Sequence, residues 1–148
     1  MNILFYLVPK SEVMYIYDDY SLRQAMEKME YHKYSAVPII NRAGNYVGTL
    51  TEGDILWELK DRKLSNLHEA EEIMLRHTNR KRDNEPVNVN CNIEDLVMTS
   101  MNQNFVPVID DNGIFIGIVT RKSIIEYCYK QYKAVSSAQA GVEKVTEL

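Results

Sequence analysis

Two short stretches carry the side chains best placed for chemistry, Thr51-Glu52-Gly53-Asp54 and Thr120-Arg121-Lys122-Ser123. Each follows an apolar strand-like run and opens a helical pattern, so each threonine stands where a strand hands over to a helix. At such a junction the first backbone N–H groups lack intrahelical partners and the helix dipole is positive, which suits a phosphate. The threonine hydroxyl adds one more donor. Asp54, when ionised, only accepts; it can take hydrogen bonds from both hydroxyls of a ribose while repelling a phosphate. The same residues also spell a capping box, which does no more than start a helix. In the second stretch Ser123 replaces the carboxylate, and Arg121 and Lys122 add cations that either attract phosphate or face solvent. One junction is thus suited to ribose, the other to phosphate.

Other chemistries lack their residues. Cys91 and Cys128 form no C-x-x-C pair, and His32, His68 and His77 share no ligand spacing with them, so no metal site is expected. Two structural thiols fit a reducing compartment, the cytoplasm. No Ser/His/Asp order, Walker loop or G-x-G-x-x-G occurs and no nucleophile is paired with a base, so the chain is not expected to be an enzyme. The apolar run from Ile3 stops at Pro9, too short for a membrane span or signal segment. A net charge of -4, from 17 basic and 21 acidic residues, argues against nucleic acid as a partner. The 148 residues, 45% hydrophobic and 26% charged, describe one compact domain or two small units sharing a core.

Internal repetition decides for two units. Pro38 and Pro107, Gly44 and Gly113, Gly48 and Gly117, and Thr51 and Thr120 each stand 69 residues apart, with apolar residues between them. In each copy a short apolar run reaches an Asn/Asp/Gly turn and a second run follows, which reads as a β-hairpin. Ile55, Leu56 and Leu59, and then Ile124, Ile125 and Cys128, mark a helix behind each hairpin. A further helix precedes each one: Ser21 to Gln24 is a capping box ahead of Leu22, Ala25, Met26 and Met29, and Asn92 to Asp95 opens the second. Val13 to Ile16 and Val87 to Val89 supply a first short strand. The fold class is therefore α+β, a β-α-β-β-α unit used twice.

The expected division is 1–63 for the first copy, 64–85 for a connecting helix and basic loop, 86–133 for the second copy and 134–148 for a flexible tail. The connector holds a helical stretch over 67–75 and then a basic run, Arg76 to Arg82. That run reads as a solvated loop, as a loop leaning over a cleft to screen phosphates, or as a contact for an acidic partner or RNA.

The apolar-Pro-apolar strand, the Gly-bearing hairpin and Gly48-Thr49-Leu50-Thr51-Glu52-Gly53-Asp54, matched in register by a second copy, resemble the CBS domain pair, or Bateman module, over about residues 7 to 132. The resemblance implies two repeats packed with pseudo-two-fold symmetry, and two clefts between them that bind adenine nucleotides of the AMP, ADP or ATP class. It implies a regulatory role read out by an unidentified effector protein, a homodimer formed through helices, and no required cofactor. Carried over by motif, Thr51 and Asp54 face Asn104, Phe105, Pro107 and Val87 in one cleft. Thr120, Arg121 and Ser123 face Ser35, Ala36, Pro38 and Met14 in the other.

The strings Lys33 to Pro38, Asn104 to Val106 and Gly117 to Lys122 are also similar to those of stand-alone bacterial CBS pairs that bind cyclic di-AMP. There Arg121 would meet phosphate, while Glu12 stands where such receptors carry a lysine. A ligand-free interaction protein that keeps the fold, docking through Trp57, Tyr127, Tyr129 and Tyr132, is the alternative from another class.

Overall fold

The computed structural model describes residues 2–80 and 83–146, without the side chains of 143–146; Lys81 and Arg82 of the basic run and the last two residues of the expected tail lie outside the described residues. After a 3-10 turn at Ile3–Tyr6, the chain runs β1 (Val8–Pro9), a second 3-10 turn (Lys10–Glu12), β2 (Ile16–Tyr17), α1 (Leu22–His32), β3 (Ala36–Ile40), β4 (Tyr46–Thr51) and α2 (Glu52–Asp61). The short α3 (Leu67–Ala70) and a 3-10 turn (Leu75–His77) lead to β5 (Val87–Asn88), α4 (Ile93–Ser100), β6 (Phe105–Ile109), β7 (Phe115–Thr120) and α5 (Arg121–Thr146). The repeated unit is present twice, as β2-α1-β3-β4-α2 and β5-α4-β6-β7-α5.

Local chemistry explains the element ends. Ser21 accepts from the Gln24 N–H at 3.1 Å and the Gln24 side chain accepts from the Ser21 N–H at 2.9 Å, closing the box that starts α1. Asn92 caps α4 by accepting from the Asp95 N–H at 2.8 Å. Both hairpins turn on a glycine in the left-handed region, Gly44 (φ 92°) and Gly113 (φ 78°), a conformation a Cβ would oppose. Both also carry a register shift at the matching place, after Ile39 and after Val108.

Two expectations are corrected. The stretch 67–75 is helical only over Leu67–Ala70, because its carbonyls turn to local 3-10-type partners and the Leu75 N–H leaves for the Tyr20 carbonyl at 2.9 Å. The segment taken as a flexible tail continues α5 as far as Thr146. Ala134, Ala138 and Ala140 favour helix even though no apolar face is repeated there.

Each copy has its own core, and each borrows from outside its repeat. Ile16, Leu22, Met29, Ile39 and Leu50 pack with Ala70, Ile73 and Leu75 from the connector. Val87, Leu96, Val106, Val108, Val119 and Ile124 pack with Ile3 from the N-terminal turn. β1 likewise adds to the second copy's sheet, pairing antiparallel with β7, so the sheets read β2-β3-β4 and β1-β7-β6-β5. The chain start therefore completes the second copy and the connector completes the first. Between them Phe115, 1% exposed, lies against the rings of Tyr15 and Tyr46, and the hairpin tips are tied by Phe115 N–H to Gly44 carbonyl at 2.9 Å and Tyr46 N–H to Gly113 carbonyl at 3.3 Å.

Gly117 lies under β1: a Cβ there would run into the Val8 carbonyl oxygen and sit 3.1 Å from Pro9 Cα. At the matching Gly48 a Cβ would meet only side-chain ends, Arg80 Nη2 at 2.5 Å and Asp83 Oδ1 at 2.7 Å. Gly117→Ala is expected to cost about 1–3 kcal/mol, because backbone must move, and Gly48→Ala distinctly less. Urea unfolding midpoints of the two variants check the order.

Candidate functional site

The two strand-to-helix junctions are built alike, and each spends its polar groups on itself. Thr51 caps α2: its hydroxyl accepts from the Asp54 N–H at 3.1 Å while Asp54 accepts from the Thr51 N–H at 3.0 Å. The Glu52 N–H goes to the Ser35 carbonyl at 3.0 Å. In the second copy the Thr120 hydroxyl accepts from the Ser123 N–H at 3.2 Å and lies 2.9 Å from the Ser123 hydroxyl, and the Arg121 N–H goes to the Asn104 carbonyl at 3.0 Å. Two of the first three amides of α2 and of α5 are thus bonded inside the protein. The capping-box reading is the one the geometry realises, and the phosphate seat expected from free amides is largely filled. Asp54 is only 7% exposed.

Arg121 departs from expectation for a clear reason. Its Nε donates to the Ser100 carbonyl at 3.0 Å and the Gln103 carbonyl at 2.9 Å, satisfying two acceptors where α4 ends and the chain turns into β6. The guanidinium braces its own copy and lines neither hollow described below.

Between the copies lies a hollow of about 330 Å³. The first copy contributes Met14, Ser35, Ala36 and Pro38 and the second contributes Thr120, all expected together. Asn104 and Phe105, expected in the other cleft, are here as well. They join because β3 and β6 begin side by side across the pseudo-two-fold axis, so the residues entering one strand face those entering the other. Glu12, which the resemblance set at a lysine position of cyclic di-AMP receptors, completes the walls together with Val8, Val13, Tyr34 and Ile118, which were not anticipated as binding residues. β1 pairing with β7 delivers Val8, and the following turn delivers Glu12; the pairing of a two-residue strand leaves no readable sequence signal.

A second hollow of about 310 Å³ holds Thr51, Gly53, Asp54 and Trp57 with Asp83, Asn84, Asn102 and Gln103. The expected facing residues are absent from its walls. Asn84 and Gln103 intervene, each donating 3.0 Å bonds to the Phe105 carbonyl, and Gln103 also accepts from the Glu85 N–H at 2.9 Å. Val87 is buried in the second core and Pro107 in the sheet opposite Ile118.

The connector closes this side. Asp83 accepts from the Thr49 N–H at 2.9 Å and from Arg80 Nε at 2.8 Å, Arg80 also reaches the Val47 carbonyl at 3.3 Å, and Tyr46 donates to the Asn84 carbonyl at 2.6 Å. Burial pushes the Tyr46 hydroxyl well above the usual tyrosine range, which keeps it a donor. Of the basic run, Arg80 lines neither hollow and pairs with Asp83.

Among the described residues no cluster of His, Cys, Asp and Glu could hold a metal, and no helix is long and apolar enough to cross a membrane. Cys91 is half-buried, with its thiol pushed up by burial, and Cys128 is exposed.

With this geometry in hand, comparison with known proteins gives the class. The CBS domain family matches residues 7–61 and 70–130, and the chain belongs to it as a CBS pair, a regulatory module. Its fold superimposes on CbpB in complex with c-di-AMP with a TM-score of 0.80 and 26% identity, covering 93% of this chain and 91% of that one. CbpB from Streptococcus agalactiae is similar at a TM-score of 0.76 and 27% identity, covering 89% and 82%. Among curated relatives, an L-aspartate semialdehyde sulfurtransferase of Methanocaldococcus jannaschii is 32% identical over 104 residues, 70% of this chain and 19% of the enzyme. An uncharacterized protein of the same organism is 26% identical over 113 residues, 76% of this chain and 26% of that protein. The chain therefore spans about a fifth to a quarter of the curated relatives it matches.

If Arg121 braces rather than binds, Arg121→Ala destabilises the fold by about 1–2 kcal/mol, leaving two carbonyls without their donor. Thermal unfolding of the purified variant measures this; an unchanged Tm would return Arg121 to the cleft.

Proposed function

We propose that the chain senses an adenine nucleotide in the hollow between the copies and relays its occupancy to a separate partner protein. The observation that carries this reading is the convergence of Ser35, Ala36 and Pro38 from one repeat with Asn104, Phe105 and Thr120 from the other around one cavity. A cavity of about 330 Å³ falls within the range of small-molecule sites. The exposed Ser35 and Asn104 side chains bring polar groups to the edge of an adenine, while Pro38, Phe105 and Ile118 give its faces an apolar wall. A ligand bound there touches both repeats, so it stabilises one relative placement over another by its difference in affinity for the two. That placement is what a partner would read.

A homodimer is part of the same reading. α5 exposes Ile125 (59%), Tyr129 (57%) and Tyr132 (68%) at helical spacing, and α2 exposes Leu56 (57%), which is more apolar surface than an isolated helix face retains without use.

A second reading, cyclic di-AMP as the ligand, is supported by the likeness to CbpB, whose structure holds that dinucleotide.

Calorimetric titration with AMP, ATP and cyclic di-AMP tests both readings, with Ala36→Leu as the blocked control. At least one ligand is expected to bind below millimolar concentration, and the larger side chain is expected to weaken it roughly tenfold or more by filling the cavity. Failure of all three at millimolar concentration would leave the interaction-protein alternative standing.

A further inference from the structure

We infer that Glu12 is the specificity residue of the first hollow, the one between Ser35 and Thr120, selecting adenine nucleosides that carry little or no phosphate charge. This inference rests on the nucleotide reading above. Its basis is a comparison of the two clefts through the repeat. Downstream of each first helix the copies are offset by 69 residues, but upstream the offset is 71: Ser21 matches Asn92, and Ile16, paired with Ile39, matches Val87, paired with Val108. At that offset Glu12 matches Asp83. Each cleft therefore carries an acid at the corresponding point of its wall, Glu12 in the first hollow and Asp83 in the second, where Asp54 is a further acid.

The two acids differ in what they already hold. Asp83 is satisfied internally, by the Thr49 N–H and by Arg80. In the other copy, β1 supplies main chain where the connector supplies side chains: Val8 pairs with Ile118, the residue matching Thr49. Glu12 is left exposed, and among the described residues it makes no ion pair. Among the described residues it is the only charged side chain on the wall of this hollow. An unneutralised carboxylate accepts from ribose hydroxyls or an amine and repels a phosphate. The α5 start does not offset this, because the Arg121 and Ser123 amides are taken and the Arg121 side chain faces Ser100 and Gln103.

A neighbouring hollow does hold Lys28 and His32, but Glu12, Val13, Met14 and Tyr34 line both cavities and form the wall between them. A phosphate reaching from one to the other would pass Glu12. The Lys28 ammonium, moreover, lies over the Tyr20 ring at 5.2 Å.

Titration of the full chain and of Glu12→Gln and Glu12→Lys with adenosine, AMP and ATP at low and high salt decides the matter. The natural protein is expected to bind adenosine tighter than AMP and AMP tighter than ATP, by about 3- to 10-fold at each step at low salt, with the spread shrinking at high salt. Glu12→Gln should narrow the spread, and Glu12→Lys should reverse it. Because Glu12 is exposed, circular dichroism of both variants should match the parent. The same ligand order in the natural protein and in Glu12→Lys overturns this inference and leaves the nucleotide reading intact. Absence of binding by all three compounds to all three proteins overturns both.

Discussion

The structure depends on a small repeat being unable to close its own sheet. Each hairpin has one face on its own helices, but its tip and its outer edge remain open, and a unit of this size buries too little apolar surface to tolerate that. The seam at Phe115 resolves the first problem. Its ring, almost wholly buried, lies against Tyr15 and Tyr46, and its amide bonds to Gly44, so each hairpin tip serves as the other's neighbouring strand. The exchange of outer segments resolves the second: the chain start covers β7 and the connector covers β4. With both closures made, the residues at the starts of β3 and β6 line one cavity, which is a by-product of the closure rather than a feature added to it.

The polar groups at the helix starts show a competition that sequence motifs conceal. A Thr-x-x-Asp junction supplies a hydroxyl, a carboxylate and unpaired amides, and the same groups can cap the helix or hold a ligand. Here Thr51 and Asp54 cap each other's amides, and Ser35 takes the amide between them. A ligand at these positions would have to replace bonds that already exist, so its gain is the difference between two hydrogen-bonded states and not the full strength of new bonds. Groups without internal partners have no such competitor. By that criterion Glu12 weighs more in the chemistry of its cleft than Thr120, whose hydroxyl is taken by the Ser123 amide.

The sequence carried the repeat plainly because the repeat is written in residues with no substitute. Gly44 and Gly113 need left-handed backbone, Pro38 and Pro107 sit at corresponding places in their strands, and Ser21 and Asn92 cap by side-chain oxygen. Those constraints are local, so spacing reveals them. The cleft-lining set was legible only in part for the opposite reason. Ser35, Ala36 and Thr120 follow from the repeat, but the placement of Asn104 and Phe105 in the same cavity depends on how two copies rotate against each other, which no local pattern encodes. β1 is two residues long and is recognisable only by its partner β7. Arg121 was legible only as a cation beside a helix start, which looks alike in sequence whether it binds an anion or, as its Nε does here, carbonyls of its own copy.

The difference between the two clefts follows from the one irregularity in the repeat. Symmetry would give both copies the same outer segment, but one is the segment ahead of β2 and the other a connector that must travel from α2 to β5. The segment ahead of β2 lies as a strand, and β1 uses main-chain bonds to β7. The connector arrives from the 3-10 turn at Leu75–His77 and meets β4 with the Arg80 and Asp83 side chains instead. Using a carboxylate to satisfy an amide consumes an acid that the other cleft keeps. Connectivity therefore separates two clefts that the repeat would make equal, leaving Asp83 paired with Arg80 and the Thr49 amide and Glu12 without an ion pair among the described residues.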